Sequence, residues 1–450
     1  MKYLTLEQHR ARIANINSAE LGNRSYFRKH RIRDYLPGQA VYTLGDYPAP
    51  FSIEPTEYDH NMLRDMAEKG VELIQLHEEW NDPIRHLGAD KFTCFDPKGL
   101  EHFIELAHSF GIKVIPYISS GFFHELDPDF DEKFTACKSY CINGMHFKYR
   151  CCSLGSAEWR EYLLPRTFAV LDRYDFDGIY NDMGYDCHYI KKGAAKDDAV
   201  PYDSECEDLL GLIYSEVKRR GGIYKVHYGR NGTAPCRDKV YDYLWIGENV
   251  NSMEVGIGKT YDDYIIPCQD KVQMKLRDPE FYYASVIPFM QFPLLTSRGR
   301  PLMGKRIEED IPYYGNENGK LGSEYAFNKR VGEYMKEHPN GPYVYSLWSS
   351  IPDDVEDYPR WCRYLELYRP MAAPDSVVYI ELRSSADILS PLPQEVYASM
   401  FVNEEKYLVV SNFQHGDYQL KLSERWTDRV TGITSDTFTV GYGKILFLKK

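Results

Sequence analysis

No run of roughly 18 apolar residues, the length a helix needs to span a bilayer, occurs in this chain of 450 residues. The polar N-terminal stretch lacks the apolar core of a secretory signal, so the sequence reads as that of a cytoplasmic protein with no membrane partner. Zinc spacings are missing too. Of ten cysteines, neither Cys137 and Cys141 nor the neighbours Cys151 and Cys152 belong to a two-pair arrangement, which leaves them as reduced thiols. There is no His-x-His or His-Glu-x-x-His spacing for a metal and no Gly-rich loop opening a helix for a phosphate. Positive charge is in deficit: 54 Lys and Arg face 67 Asp and Glu, and the net charge of −13 repels phosphate backbones, so no nucleic-acid partner is expected.

What is present suits a folded protein with a large core, since 43% of residues are apolar and 27% charged, with no low-complexity tract or repeat. The length allows three average domains, or one α/β barrel with accessories. Residues 1–37 are the basic exception, with Lys2, Arg10, Arg12, Arg24, Arg28, Lys29, Arg31 and Arg33 against Glu7, Glu20 and Asp34. They read as a solvated N-terminal arm or a subunit contact, compatible with a homo-oligomer.

From residue 38 onward, short β-branched or aromatic runs alternate with helical patterns, the rhythm of parallel βα units. Strands are predicted at Gln39–Leu44, Val71–Leu76, Lys113–Ile118, Gly178–Asn181, Ile223–His227 and Tyr243–Gly247, with Tyr283–Phe289 and Tyr343–Leu347 as candidates for the last two. Helices are predicted over 56–69, 97–110, 157–174 and 203–219, with shorter ones near 234–241 and 323–338. A long insertion, 121–155, interrupts the series. Eight strands in this order predict an α/β protein, a (β/α)8 or TIM barrel over 38–370. After Pro370 the period changes to alternating runs such as SVVYIEL and KYLVVSNF, which predict a C-terminal antiparallel β-domain over 376–450.

Side chains at the C-terminal ends of barrel strands converge on one mouth. Carboxylates dominate those ends here: Glu78 and Glu79 after the second strand, Asp182 and Asp186 after the fourth, Glu248 after the sixth. His77, His124, His188 and His227 lie near strand ends as well. In DFDGIYNDMGYD, residues 175–186, an apolar strand delivers Asn181 and Asp182, and in YDYLWIGENV, residues 241–250, Glu248 follows Gly247. Singly, Asp182 can equally cap a helix and Glu248 can equally pair with Arg230. Together they meet the demand of glycoside hydrolysis, which uses two carboxyl groups on opposite sides of one bond, one ionised and one protonated.

At these residues the sequence resembles the retaining α-glycosidases built on (β/α)8 barrels. DGIYNDMG is similar to the nucleophile strand of glycoside hydrolase family 31 and the related α-galactosidases, and WIGEN to the family 31 Trp-x-Gly-Asp-Asn acid segment, with Glu248 standing where that family carries Asp. The segment 156–180 is similar to the helix that precedes the nucleophile strand. The resemblance implies a glycosidase acting on an oligosaccharide or glycoside, α-linked, by a two-carboxylate retaining mechanism with Asp182 as nucleophile and Glu248 as acid/base.

Flat sugar faces stack on aromatic rings, and Trp80, Tyr117, Tyr185, Tyr228, Trp245 and Trp348 lie near strand ends. Glu78, Arg150 and Arg230 are the polar candidates for sugar hydroxyls. This reading calls for no cofactor and no metal. Two alternatives stay open: a catalytically silent carbohydrate-binding barrel, and a metal-dependent hydrolase using strand-end His and carboxylates.

Overall fold

The helices of the βα series begin and end where side chains supply the missing backbone bonds. Asp59 accepts from the Thr56 N–H at 2.8 Å ahead of Glu57–Lys69, and Gly70 closes that helix at φ 97°. Asp96 accepts from the Gly99 N–H at 3.1 Å ahead of Pro97–Ser109. Ser156 accepts from the Trp159 N–H, also at 3.1 Å, ahead of Ala157–Arg173, which runs on through Pro165.

The structure, a computed structural model, describes residues 4–45, 52–77, 80–81, 92–125, 127–144, 147–182, 202–228, 240–246, 264–267, 279–296, 298–301, 305–306, 333–334, 337–338, 343–344 and 357–450. Helix Leu6–Gly22 leads into β1 (Asn23–Arg31). Then come β2 (Gln39–Val41), β3 (Leu73–Gln75), β4 (Lys113–Ile115) and β5 (Tyr117–Ser119). The insertion holds β6 (Phe122–His124), β7 (Thr135–Gly144) and β8 (Phe147–Cys152). They are followed by β9 (Gly178–Asp182), β10 (Ile223–Tyr228), β11 (Tyr243–Ile246), β12 (Tyr264–Pro267), β13 (Lys305–Arg306) and β14 (Tyr343–Val344). The C-terminal strands are β15 (Val377–Ser385), β16 (Val396–Val402), β17 (Lys406–Asn412), β18 (Tyr418–Asp428), β19 (Thr434–Val440) and β20 (Lys444–Lys449).

These elements form two compact units: residues 39–245 with 295–358, and residues 1–38 with 246–294 and 359–450. In the first unit, β2, β3 and β4 run parallel, with Ala40 opposite Ile74 and Ile74 opposite Val114. Beyond Pro116, β5, β9, β10 and β11 lie side by side in that order. Leu295 bridges Ala40 in parallel, its N–H donating to the Gln39 carbonyl at 3.0 Å. The insertion is an antiparallel sheet of order β6-β8-β7.

The second unit is built on a seven-stranded antiparallel sheet of order β1-β15-β16-β17-β20-β18-β19. Alternate residues of β18 are buried, and its core joins Ala19, Tyr379, Met400, Leu408, Leu420 and Trp426. The basic N-terminal segment is part of this sheet: Tyr26 opposes Leu382 and Arg28 opposes Ile380.

The last two barrel strands depart from the sequence expectation. Pro279–Val286 is a helix and Ile287–Phe289 a 3-10 turn, so Tyr283–Phe289 is not a strand. All of Tyr282–Val286 is buried, and a continuous apolar run carries no period that separates a buried helix from a strand. The strand after β11 is β12, with the Leu294 N–H donating to the Pro267 carbonyl at 2.9 Å in the same unit. Tyr343–Val344 is extended but pairs with Lys305–Arg306. Most of the helices expected near 234–241 and near 323–338 lies outside the described residues, and Val240 and Tyr241 are not helical. Among the described residues, no helix is long and apolar enough to cross a membrane.

Candidate active site

Side chains alternate along a strand, so Tyr180 and Asp182 of β9 share one face. The parallel register sets β10 beside them, with Lys225 opposite Tyr180 and Val226 opposite Asn181, which brings His227 level with Asp182. On the other flank β5 sets Tyr117 opposite Tyr180 and Ser119 opposite Asp182. Asn181, on the opposite face, ties the strands together through Ser120 Oγ at 2.8 Å and the Tyr224 hydroxyl at 2.7 Å.

Asp182 is thereby held from three directions. His227 Nδ1 lies 2.5 Å from Oδ1, the Tyr117 hydroxyl donates to Oδ2 at 2.9 Å, and the Tyr180 hydroxyl reaches Oδ1 at 3.5 Å. A carboxylate has no proton to give, so His227 carries its hydrogen on Nδ1. Trp245 packs on the His227 ring, with centroids 4.0 Å apart. His77 faces the same group, its Nε2 3.3 Å from Gln75 Nε2. Lys225 is buried and donates to Gln39 Oε1 at 3.0 Å.

Burial pushes the Asp182 carboxyl upward, but the attraction and hydrogen bond of His227 and the Tyr117 hydroxyl outweigh it and hold the group below the usual carboxylate range. Desolvation drives His77 down to about 3, with Lys225 and His227 adding to the fall against the pull of Asp182. His77 is therefore neutral near pH 7, and the ionised state of Asp182 rests on His227 and Tyr117. Within the pair the carboxylate is the more open partner: the Asp182 side chain is 18% exposed and that of His227 5%. An ionised, oriented and partly open carboxylate at a strand end can act as a nucleophile or charge stabiliser.

Of the residues expected at the site, Asp182, Tyr117 and Trp245 come together here, but Tyr117 and Trp245 are buried and support Asp182 and His227 instead of offering a ring face to a sugar. Trp80 is fully buried: its indole donates to the Tyr117 carbonyl at 3.1 Å and its ring packs on Tyr174 and Phe176. With no exposed surface it cannot stack on a sugar, and its place is structural. Arg150 sits on β8, where its guanidinium meets Glu132 at 3.1 Å and Glu125 at 3.7 Å. Those ion pairs engage the guanidinium that was expected to meet sugar hydroxyls. Glu78, Glu79, Tyr185, Asp186, Arg230, Glu248 and Trp348 lie outside the described residues, as does the side chain of Tyr228.

His227 and His77 stood among the strand-end histidines without an assigned role. The signal that finds them is the spacing of two: Tyr180 and Asp182, Lys225 and His227, and Gln75 and His77 each share a face. Among the described residues, no group of three or more His, Cys, Asp or Glu is arranged to hold a metal ion.

No family model matches the chain, and no curated protein matches it in sequence. Solved structures do. A maltogenic α-amylase from Thermotoga neapolitana aligns with TM-score 0.54 at 12% identity, covering 92% of this chain and 99% of that one. A trehalose-6-phosphate hydrolase from Bacillus licheniformis aligns with TM-score 0.53 at 12% identity, covering 92% and 99%. An Anoxybacillus α-amylase aligns with TM-score 0.51 at 9% identity, covering 93% and 98%. At such identities the likeness speaks for the fold, which is a (β/α)8 barrel with a C-terminal antiparallel β-domain.

Proposed function

We propose that the protein is a glycoside hydrolase that cleaves an α-linked glycosidic bond with retention, using Asp182 as nucleophile and Glu248 as acid/base. The observation that carries this reading is the state of Asp182: ionised, partly open, at the end of the fourth barrel strand, and gripped through both oxygens by His227 and Tyr117. The likeness of DGIYNDMG and WIGEN to family 31 and α-galactosidase segments supports an α-linked substrate, as do the names of enzymes that share the fold, a maltogenic α-amylase and a trehalose-6-phosphate hydrolase.

In the first step the Asp182 carboxylate attacks the anomeric carbon while Glu248 protonates the departing oxygen, leaving a glycosyl ester. In the second, Glu248 takes a proton from water, whose oxygen displaces Asp182 from the same carbon. Retention needs the two carboxyl groups about 5–5.5 Å apart. A panel of aryl α- and β-glycosides, with the product anomer followed by NMR, tests the reading. Asp182→Asn is expected to abolish turnover in a folded protein, and Glu248→Ala to slow poor leaving groups far more than activated ones, with azide restoring the latter. Absence of hydrolysis across the panel by the wild type would favour a silent carbohydrate-binding barrel.

A further inference from the structure

We propose that His227 is a positioning residue for Asp182: its Nδ1–H bond to Oδ1 locks the carboxylate rotamer and makes Asp182 a better leaving group from the glycosyl ester. The inference rests on the hydrolase reading and adds a division of labour within it. His227 does not touch the sugar, because its side chain is 5% exposed and Trp245 covers its ring. It acts on the reaction only through the carboxylate, 2.5 Å away.

The two steps respond to that bond in opposite senses. In the first, the bond from Asp182 to the anomeric carbon forms as the bond to the leaving oxygen breaks, and an oxygen whose charge is shared with Nδ1–H attacks less strongly. In the second, the ester bond breaks, its electron pair returns to Asp182, and the waiting Nδ1–H stabilises the charge as it reappears. The proton stays on His227 throughout. Losing the bond therefore harms the second step most, apart from freeing the carboxylate to rotate. A hydrogen bond to a charged group is strong enough for a loss of about ten- to a hundredfold.

Among the described residues, the groups that face Asp182 are His77, Tyr117 from β5, Tyr180 from its own strand, and His227 from β10, with Lys225 on the same face of β10. His227 and Tyr117 make the close bonds to the carboxylate, at 2.5 and 2.9 Å, whereas the Tyr180 hydroxyl stands at 3.5 Å, His77 is neutral and the Lys225 ammonium donates to Gln39.

The test joins two readouts on the full chain. The Asp182 carboxyl is titrated by carbon-13 NMR, identified by its loss in Asp182→Asn, and turnover is followed with the dinitrophenyl glycoside of the best sugar in the panel. In His227→Ala the carboxyl is expected to titrate at higher pH than in the wild type. Its kcat is expected to fall about ten- to a hundredfold, with a burst of dinitrophenol before a slow steady state. His227→Asn, whose amide can donate to Oδ1, is expected to recover most of both, a rescue that a packing role would not produce. Should His227→Ala fail to fold, His227→Met, which fills the space without a donor, takes its place. An unshifted titration with unchanged kcat in a folded donor-less variant overturns the proposal and leaves the hydrolase reading intact. A shifted titration in a protein that hydrolyses no glycoside overturns the hydrolase reading instead.

Discussion

Asp182 is also a stability element, and the sign of its contribution follows from its lowered ionisation. A carboxyl that binds its proton less readily folded than unfolded stabilises the fold above its unfolded value, about 3.9, and loses that contribution as pH falls through the folded value. Urea unfolding of the wild type and Asp182→Asn is therefore expected to show a gap at pH 6–7 that closes below about pH 4. A gap that widens on acidification would contradict the pairing with His227. Tyr117→Phe removes the 2.9 Å bond to Oδ2 and keeps the ring's packing. Activity is expected to fall about tenfold, at the weaker end for a bond to a charged group, and the acid limb of the pH profile to move upward. Steady-state kinetics across pH checks both.

At the scale of single elements, the strand that delivers Asp182 begins at a position only glycine fills. Gly178 has φ 150°, and a Cβ there would lie 1.8 Å from the Ile223 carbonyl oxygen, the partner that sets the β9–β10 register. Gly178→Ala must push the two strands apart, which separates Asp182 from His227 as well. A loss of at least about 2 kcal/mol in unfolding free energy is expected, together with loss of activity.

A second element carries strain of another kind. Glu381, inside β15, has φ 51°, and its N–H donates to Ser399 Oγ at 3.0 Å. Burial raises its carboxyl against the pull of Arg383, 3.2 Å away. With a raised folded value, stability falls as pH climbs from the unfolded value of about 4.3 through the folded one. Glu381→Gln is expected to raise the melting temperature at pH 7 and to lose that advantage below about pH 4, as thermal denaturation at the two pH values will show.

For the molecule as a whole, the N-terminal segment is structural. β1 pairs with β15 from Asn23 to Arg31, and Ala19 lies in the core shared with Val377 and Leu382. Deleting residues 1–31 would leave the backbone groups of Val377–Ser385 that face β1 unpaired on a sheet edge. The truncated chain is expected to melt at lower temperature and to associate on size-exclusion chromatography. A monomer of unchanged melting temperature would show that β15 does not need its partner.

The sequence by itself determined what local chemistry decides. Helices 57–69, 97–109 and 157–173 follow from their apolar spacing and from caps at Thr56, Asp96 and Ser156, and the strand ending in Asp182 follows from its apolar run between turns. Of the runs after Pro370, that of β18 carries its own period of two, whereas Val377–Leu382 of β15 is buried without a break. What depends on residues far apart in the chain was decided only by the tertiary structure. Nothing local distinguishes Trp80, sealed against Tyr174, from a ring that could stack on sugar, or Arg150, paired with Glu132, from one that could bind it. Pairing of Asp182 with His227, 45 residues on, arises because the β9–β10 register sets both strand ends level, a relation between backbones rather than a property of either segment. The helix at 279–286 belongs with these, since burial of all of Tyr282–Val286 left no period in that run and packing to choose its conformation.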